Sequence, residues 1–442
     1  MPDRPASVPR VYILTLGCPK NDADSRSALR RLTEAHVFVV GEPEEATHIL
    51  INTCGFIQDA KEESIAAILD VCAGHPDKEV LAMGCLVERY RTELEQGIPE
   101  VAGWFGLAET DRLVAWLTPG SEALGDGSNL AAIEMRPSRT PLAYAYVKLS
   151  DGCDEGCSFC AIPAIKGAYH SLGPSDILAE ATACLDEGAR ELVLVGQDTA
   201  VWEGNDVSLT QLVDLLCEDD RSRWVRLMYL QPEHLSPALL RYMASAPRLC
   251  RYLDIPLQHA SRDVLRRMGR QGDGIAYLEL LAEARRLMPD VSVRSTFIVG
   301  FPGETEEQFE ELLEFVNEAA FDYAGAFIYS PEEGTAAAEL RPRVPKRSAM
   351  DRLNRLNAAL VSRSESEHMR LVGSKVEVMI DSLDVEDLGG SVSAIARTAG
   401  QAPEVDGVTY IEGEIPAGLS PGDLVEVTIV GAAGFDLIGS LL

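Results

Sequence analysis

The chain has 442 residues, 39 basic and 70 acidic, for a formal charge of −31, and at roughly 150 residues per domain such a length corresponds to about three domains. Hydrophobic residues make up 46% and are spread throughout, which excludes a disordered polyanion, while the negative field repels polyphosphates and disfavours general nucleic-acid binding. The longest apolar runs, such as VYILTLG, fall far short of the roughly 18 residues of a membrane span, and no basic segment precedes a cleavage site, so a cytoplasmic protein is expected.

After a Pro-rich start, the runs VYILTLG, HVFVV, HILINT, EVLAMG and WFGLAE alternate with helical stretches such as Ser64 to Val71. This alternation predicts a parallel sheet with crossover helices, an N-terminal α/β domain over residues 10–120. Thr118 to Pro141, rich in Gly, Ser and Pro, has no sustained period and is expected to be a linker. From Tyr144 the candidate strands YAYVKLS, ELVLVGQ, WVRLMYL, YLDIPLQ, SVRSTFIVG and YAGAFIYS are each followed by amphipathic helix. Six β/α units in series predict an open or partial barrel over residues 140–370, with its chemistry at the carboxyl ends of the strands. A long charged helix from about Pro345 to Leu371 closes this region. Beyond it KVEVMID, SVSAIAR, VTYIEG and DLVEVTIV lie between Gly-rich turns, predicting a small antiparallel barrel of about five strands over residues 371–442. The fold class is thus α/β in its first two parts.

Ten cysteines without a signal peptide point to metal or redox use instead of a disulfide framework. Cys153, Cys157 and Cys160 form CDEGCSFC just after the first barrel strand. A zinc site would want a fourth ligand, for which His170 is the only local candidate, at an unusual spacing. Three soft thiolates instead suit an iron–sulfur cluster and leave one iron of a four-iron cluster open to an external ligand. Cys18, Cys54 and Cys85, in LTLGCPKN, LINTCGFI and AMGCLVER, each follow a predicted strand of the first domain, so a parallel sheet brings all three to one edge. Cys72, Cys184, Cys217 and Cys250 lie in apolar periods and read as core packing.

CxxxCxxC with Phe159 before the last cysteine, on a β/α barrel, resembles the radical S-adenosylmethionine superfamily. The resemblance implies that the open iron holds S-adenosylmethionine, which supplies a 5′-deoxyadenosyl radical. Adding the first triad, GFPGET from Gly300 to Thr305 and a terminal barrel of the TRAM kind, almost the whole chain is similar to the methylthiotransferase family. That similarity implies two four-iron four-sulfur clusters, the first carrying the inserted sulfur, two molecules of S-adenosylmethionine as methyl donor and radical source, and an electron donor such as flavodoxin or ferredoxin. It also implies cosubstrate contacts from Gln197, Asp198, Arg294, Gly300 and Gly303 at predicted barrel mouths. After the radical motif, Lys166 and Gly167 keep the pattern, whereas His170 and Leu172 stand where relatives usually carry arginines and Gln231 replaces a usual tyrosine.

One branch of that family modifies an adenosine of transfer RNA, another an aspartate of ribosomal protein S twelve. From Arg370 to Leu442 the chain has three basic residues, Arg370, Lys375 and Arg397, against twelve carboxylates, and only Tyr410 and Phe435 are aromatic. Such a barrel neither holds a phosphate backbone nor stacks unpaired bases, so a basic ribosomal protein is the better partner. GCPKNDADSR, DIPLQHAS, YSPEEGT and APEVDG resemble the ribosomal-protein branch. The expected activity is methylthiolation of the β-carbon of an aspartate in ribosomal protein S twelve. The alternatives are the same chemistry on transfer RNA and a non-catalytic iron–sulfur sensor.

Overall fold

A computed structural model describes residues 9–119, 143–385 and 392–441. The chain forms two compact units, one of Met1–Thr140 with Ala161–Gly167 and the other of Pro141–Cys160 with Ala168–Leu442. The expected linker, Thr118 to Pro141, lies outside the described residues apart from its first two.

The first unit holds β1 (Arg10–Thr15), β2 (Phe38–Val39), β3 (His48–Thr53), β4 (Glu79–Gly84) and β5 (Val101–Phe105), in the order β2-β1-β3-β4-β5. Every ladder is parallel, and β3 and β4 are buried along nearly their whole length, as expected of strands covered on both faces. The fifth strand starts at Val101 and stops at Phe105, earlier than WFGLAE suggests. The Glu109 carboxylate accepts the Gly106 N–H at 2.6 Å and turns the chain out of the sheet.

The second unit opens with β6 (Tyr144–Lys148), β7 (Glu191–Val195), β8 (Trp224–Leu227), β9 (Tyr252–Gln258), β10 (Ser292–Val299) and β11 (Tyr323–Ile328). These form two parallel three-stranded ladders, joined by a bridge from Val225 to Leu249 and by the Leu230 N–H donating to the Asp254 carbonyl at 2.9 Å. Ala145, Val147, Leu192 and Leu194 face outward into a core with Ile177, Ala181, Leu212 and Val213 of the surrounding helices. By alternation, Tyr144, Tyr146, Lys148, Glu191, Val193, Val195 and Arg226 face the lumen. Capping boxes at Ser208 and Thr305 start two of the outer helices.

The terminal barrel comprises β12 (Lys375–Ser382), β13 (Val392–Thr398), β14 (Thr409–Glu412), β15 (Leu424–Ala433) and β16 (Asp436–Ser440), closed in the order β12-β13-β14-β16-β15. Four ladders are antiparallel, but β14 and β16 run parallel. A closed ring of five strands cannot alternate direction throughout, so one parallel pair is forced.

Residues 399–406 of this barrel cover the amino end of the β/α barrel. Glu191 accepts from Arg226 and Arg397 at 2.6 Å each, and Arg397 also holds Asp381. Arg226 donates to the Ala399 carbonyl, Tyr146 to the Pro403 carbonyl, and Tyr252 to Asp406. Arg294 belongs to the same end: third in β10, it pairs with Asp254 at 2.9 Å and Asp406 at 3.3 Å. This corrects its expected place at the barrel mouth. A period-two reading fixes which face a strand residue takes but not which end its long side chain reaches. Among the described residues no helix is long and apolar enough to cross a membrane.

Candidate functional site

In the first unit, β1, β3 and β4 end at Thr15, Thr53 and Gly84; Cys54 and Cys85 follow directly and Cys18 three residues on. Because the strands are parallel, their carboxyl ends share one edge. Cys18 caps helix Pro19–Glu34 and Cys85 begins helix Cys85–Gly97, so two of the three thiols sit at helix N-termini, where negative charge is favoured. The Asn21 amide donates to the Leu16 and Thr53 carbonyls, at 2.7 and 3.2 Å, and Asn52 donates to the Asn21 carbonyl at 2.8 Å, tying the loops together. Ser64 accepts the Cys54 N–H at 3.0 Å and returns its hydroxyl to the Cys54 carbonyl.

Burial pushes the Cys85 thiol up to about 12, opposed by Lys166 and reinforced by Cys18 and Cys54. The Cys54 thiol is raised by burial, with Cys18 adding to the rise. The Cys85 thiol thus feels both other cysteines, and the Cys54 thiol feels Cys18. Lys166 itself pairs with Asp24 at 3.1 Å, and its short helix, Ile162–Lys166, packs Ala161 and Ile165 against Cys85.

Gly84 carries this edge. At φ 105° and ψ −163° it occupies a region essentially reserved for glycine, and a Cβ there would lie 2.4 Å from the Asn52 side-chain oxygen and 2.6 Å from the Thr53 carbonyl. Gly84→Ala is expected to cost about 2 kcal/mol or more. Urea unfolding and iron content after reconstitution would record the loss.

In the second unit the radical motif follows β6 and a short ladder of Ser150–Asp151 with His170–Ser171. The Ser158 N–H donates to the Met268 carbonyl at 2.8 Å and its hydroxyl to the Arg267 carbonyl at 2.7 Å, while the Ala337 N–H donates to the Ser158 carbonyl at 2.8 Å. The Cys160 N–H donates to the Cys157 carbonyl at 3.2 Å, a turn that folds these two cysteines together. Burial raises the Cys153 and Cys157 thiols, with Cys157 adding to the rise at Cys153 and Arg270 opposing it at Cys157. The Arg270 guanidinium lies 3.8 Å from the Cys157 Sγ and also bonds Gln231 and Glu233. Phe159 is half-buried against the barrel core.

Gln197 and Asp198 stand just past the carboxyl end of β7. Asp198 is held by His234 Nδ1 at 2.5 Å and by the Ala200 N–H at 3.0 Å, and burial raises its carboxyl despite these partners. The Gln197 Nε2 is buried without a hydrogen-bond partner, a donor that a ligand would satisfy. Gly300 and Gly303 take φ 74° and 78°, and the Gly300 N–H donates to buried Glu304, so this turn also starts helix Glu306–Ala319. His170 is exposed and Leu172 half-buried against the core. Cys184 and Cys250 are buried core residues, and Cys72 and Cys217 pack partly against cores.

Each triad offers three sulfur donors of the kind that bind iron–sulfur clusters, so the residues fit the group expected of them. Sequence reasoning missed Arg270, His234 and the Ser158 clamp. The one local signal for the first is the glycine pair in MGRQG: at Gly269 a Cβ would lie 2.5 Å from the Gly156 carbonyl, so glycine lets this segment lie against the CDEGCSFC loop.

Three family descriptions match the chain: the Radical SAM superfamily over residues 147–316, the uncharacterized protein family UPF0004 over 10–106, and the TRAM domain over 372–442. The class is therefore a radical S-adenosylmethionine fold with two flanking domains. A methyltransferase of this superfamily, TsrM from Kitasatospora setae, superposes with a TM-score of 0.54 over 82% of this chain and 91% of that one, at 12% identity. Curated relatives named "Ribosomal protein uS12 methylthiotransferase RimO" are 38% identical in Thermodesulfovibrio yellowstonii, covering 97% of this chain and 99% of the relative. The same name is carried by a relative 40% identical in Moorella thermoacetica, covering 92% and 94%, and by one 37% identical in Thermotoga maritima, covering 98% and 100%. The chain belongs to this uS12 methylthiotransferase family.

Proposed function

We propose that the protein inserts sulfur at the β-carbon of an aspartate in ribosomal protein S twelve and caps it with a methyl group. The observation that carries this reading is the presence, in one chain, of two separate three-thiol sets, each at the carboxyl edge of a parallel sheet. Cys18, Cys54 and Cys85 would hold one four-iron cluster, and Cys153, Cys157 and Cys160 the other. Bound there, the clusters and two molecules of S-adenosylmethionine supply the sulfur, the methyl group and the radical.

The chain's own part is to hold, orient and shield. The Ser158 clamp fixes the radical loop, Arg270 donates toward Cys157, and Gln197 offers its unpaired N–H to the cosubstrate, with Asp198 and the Gly300 and Gly303 turn as further candidate contacts. Arg294, spent on Asp254 and Asp406, supports the docking of the terminal barrel instead. We assign domains at residues 10–120, 140–370 and 371–442, and an electron donor of the flavodoxin or ferredoxin kind.

A basic protein substrate is favoured by the terminal barrel. Arg397 is buried on Glu191 and Asp381, while Arg370 and Lys375 pair with Glu367 and Glu426. Few cations remain there for phosphates. The reconstituted enzyme, given S-adenosylmethionine and reductant, is expected to add one methylthio group to ribosomal protein S twelve and none to transfer RNA. Mass spectrometry of both substrates checks this, and a product on RNA alone would reverse the substrate. Absence of 5′-deoxyadenosine would favour a sensor.

A further inference from the structure

In a chain of formal charge −31, one stretch reverses the sign. From Thr335 to Met350 a single carboxylate, Glu339, stands against Arg341, Arg343, Lys346 and Arg347. All four cations are exposed. Arg341 donates to the Ala338 and Leu340 carbonyls and Arg343 to the Ala338 carbonyl, and among the described residues none of the four meets a carboxylate at ion-pair distance. Lys346 and Arg347 open helix Lys346–Met369, whose amino end has no side-chain cap and no acidic residue in its first turn. The helix dipole disfavours cations there, so their placement works against the helix and adds to the local positive field. On helix Arg262–Arg267 the exposed arginines are instead neutralised, Arg262 by Asp273 and Arg266 by Asp263.

The basic stretch is fastened to the radical motif. The short turn Ala336–Glu339 donates the Ala337 N–H to the carbonyl of Ser158, which lies between Cys157 and Cys160. The Gly303 N–H donates to the Pro342 carbonyl at 2.8 Å, and a Cβ at Gly303 would lie 3.6 Å from Arg267, whose carbonyl accepts the Ser158 hydroxyl. The uncompensated cations thus follow directly on the segment that grips the cysteine loop.

We propose that Arg341, Arg343, Lys346 and Arg347 form the docking surface for an acidic protein that delivers an electron to the cluster assigned to Cys153, Cys157 and Cys160. This rests on the electron-donor reading given above and adds where that partner sits. One electron leaves the donor's reduced cofactor and enters the oxidised cluster, and no atom or proton is exchanged at the surface. A carrier that must arrive, discharge and leave is served by a small charged patch better than by a large apolar one. The negative field of the chain repels an acidic partner from most of the surface, so this patch selects the face as well as attracting the donor. The same four cations repel a basic ribosomal protein, which separates this face from the one that receives the substrate. Met350, one turn beyond Lys346 and 42% exposed, gives the patch an apolar contact.

The test is equilibrium binding of an acidic flavodoxin, and separately of an acidic ferredoxin, to anaerobically reconstituted enzyme over a range of salt. Wild type is expected to bind at least one of them, with an affinity that falls as salt rises. Replacing Arg341, Arg343, Lys346 and Arg347 together by glutamine weakens that binding about tenfold or more and flattens its salt dependence. In the same variant 5′-deoxyadenosine formation driven by the donor protein falls, while formation driven by dithionite, which needs no docking, keeps its wild-type rate. A control loses the same charge elsewhere, through glutamine at Arg251 before β9, Arg286 near the end of helix Gly274–Leu287, and Arg370 and Lys375 where the terminal barrel begins. Its affinity for the donor changes by less than about twofold. Failure of wild type to bind either protein, equal losses in the two variants, or unchanged affinity in the patch variant overturns the proposal. So does loss of affinity for a ribosomal RNA hairpin with donor binding intact, because the patch then serves phosphates. Should the fourfold variant lose iron, Lys346→Gln with Arg347→Gln decides: a weakening of about threefold supports the proposal and no change overturns it. Thioether formation by wild type with dithionite tests the methylthiolation reading separately, since docking without product would sink that reading and keep the docking surface.

Discussion

Replacing Cys153, Cys157 and Cys160 together by alanine is expected to remove about half of the bound iron and to bring 5′-deoxyadenosine formation below detection. Replacing Cys18, Cys54 and Cys85 together removes a similar share of the iron and leaves 5′-deoxyadenosine formation in place, while the methylthio product disappears. The asymmetry follows from where the triads sit. One follows the first strand of the β/α barrel and is clamped through Ser158; the other lies on a separate sheet and is tied through Asn21 and Asn52. Each set should therefore fill without the other. Iron and sulfide quantitation with chromatography of the nucleoside reads both arms, and loss of all iron in either variant would contradict independent sites.

The second large effect concerns stability. Glu191→Gln is expected to destabilise the second unit by about 3 to 5 kcal/mol, because it leaves Arg226 and Arg397 facing each other with one charge uncompensated. Glu191 and Arg226 are fully buried and Arg397 nearly so. The guanidinium of Arg226 also stacks on the Tyr252 ring at 4.6 Å, and that of Arg397 on the Tyr144 ring at 5.1 Å. Replacing Glu191, Asp381, Arg226 and Arg397 together by apolar residues of similar volume, which removes both carboxylates with both guanidinium groups, should cost much less than the single change. Denaturant titration of the variants gives both values, and an effect of Glu191→Gln below about 1 kcal/mol would show that the network does not fasten the terminal barrel.

Much of this molecule is legible in local sequence. Runs such as ELVLV and SVRSTFIV place parallel strands because buried strands need apolar residues and a period of two. The cysteines are legible because a thiol just past a strand is positioned by the strand itself, so Cys18, Cys54 and Cys85 converge once the sheet is parallel. Arg270 and Arg294 were harder to place. An arginine's role depends on the carboxylate or thiol it meets, and here the partners lie far off in sequence: Cys157 for Arg270, Asp406 for Arg294.

The sequence by itself determined the three-part α/β organisation, the two sulfur triads and the acidic terminal barrel, since each rests on periodicity, spacing or composition along a short stretch. Tertiary structure alone decided that residues 399–406 close the amino end of the β/α barrel and that Ala161–Gly167 joins the first unit beside Cys85. It also decided that the fifth ladder of the terminal barrel runs parallel. Those outcomes depend on ion pairing, packing and ring closure between distant segments, which no local pattern encodes.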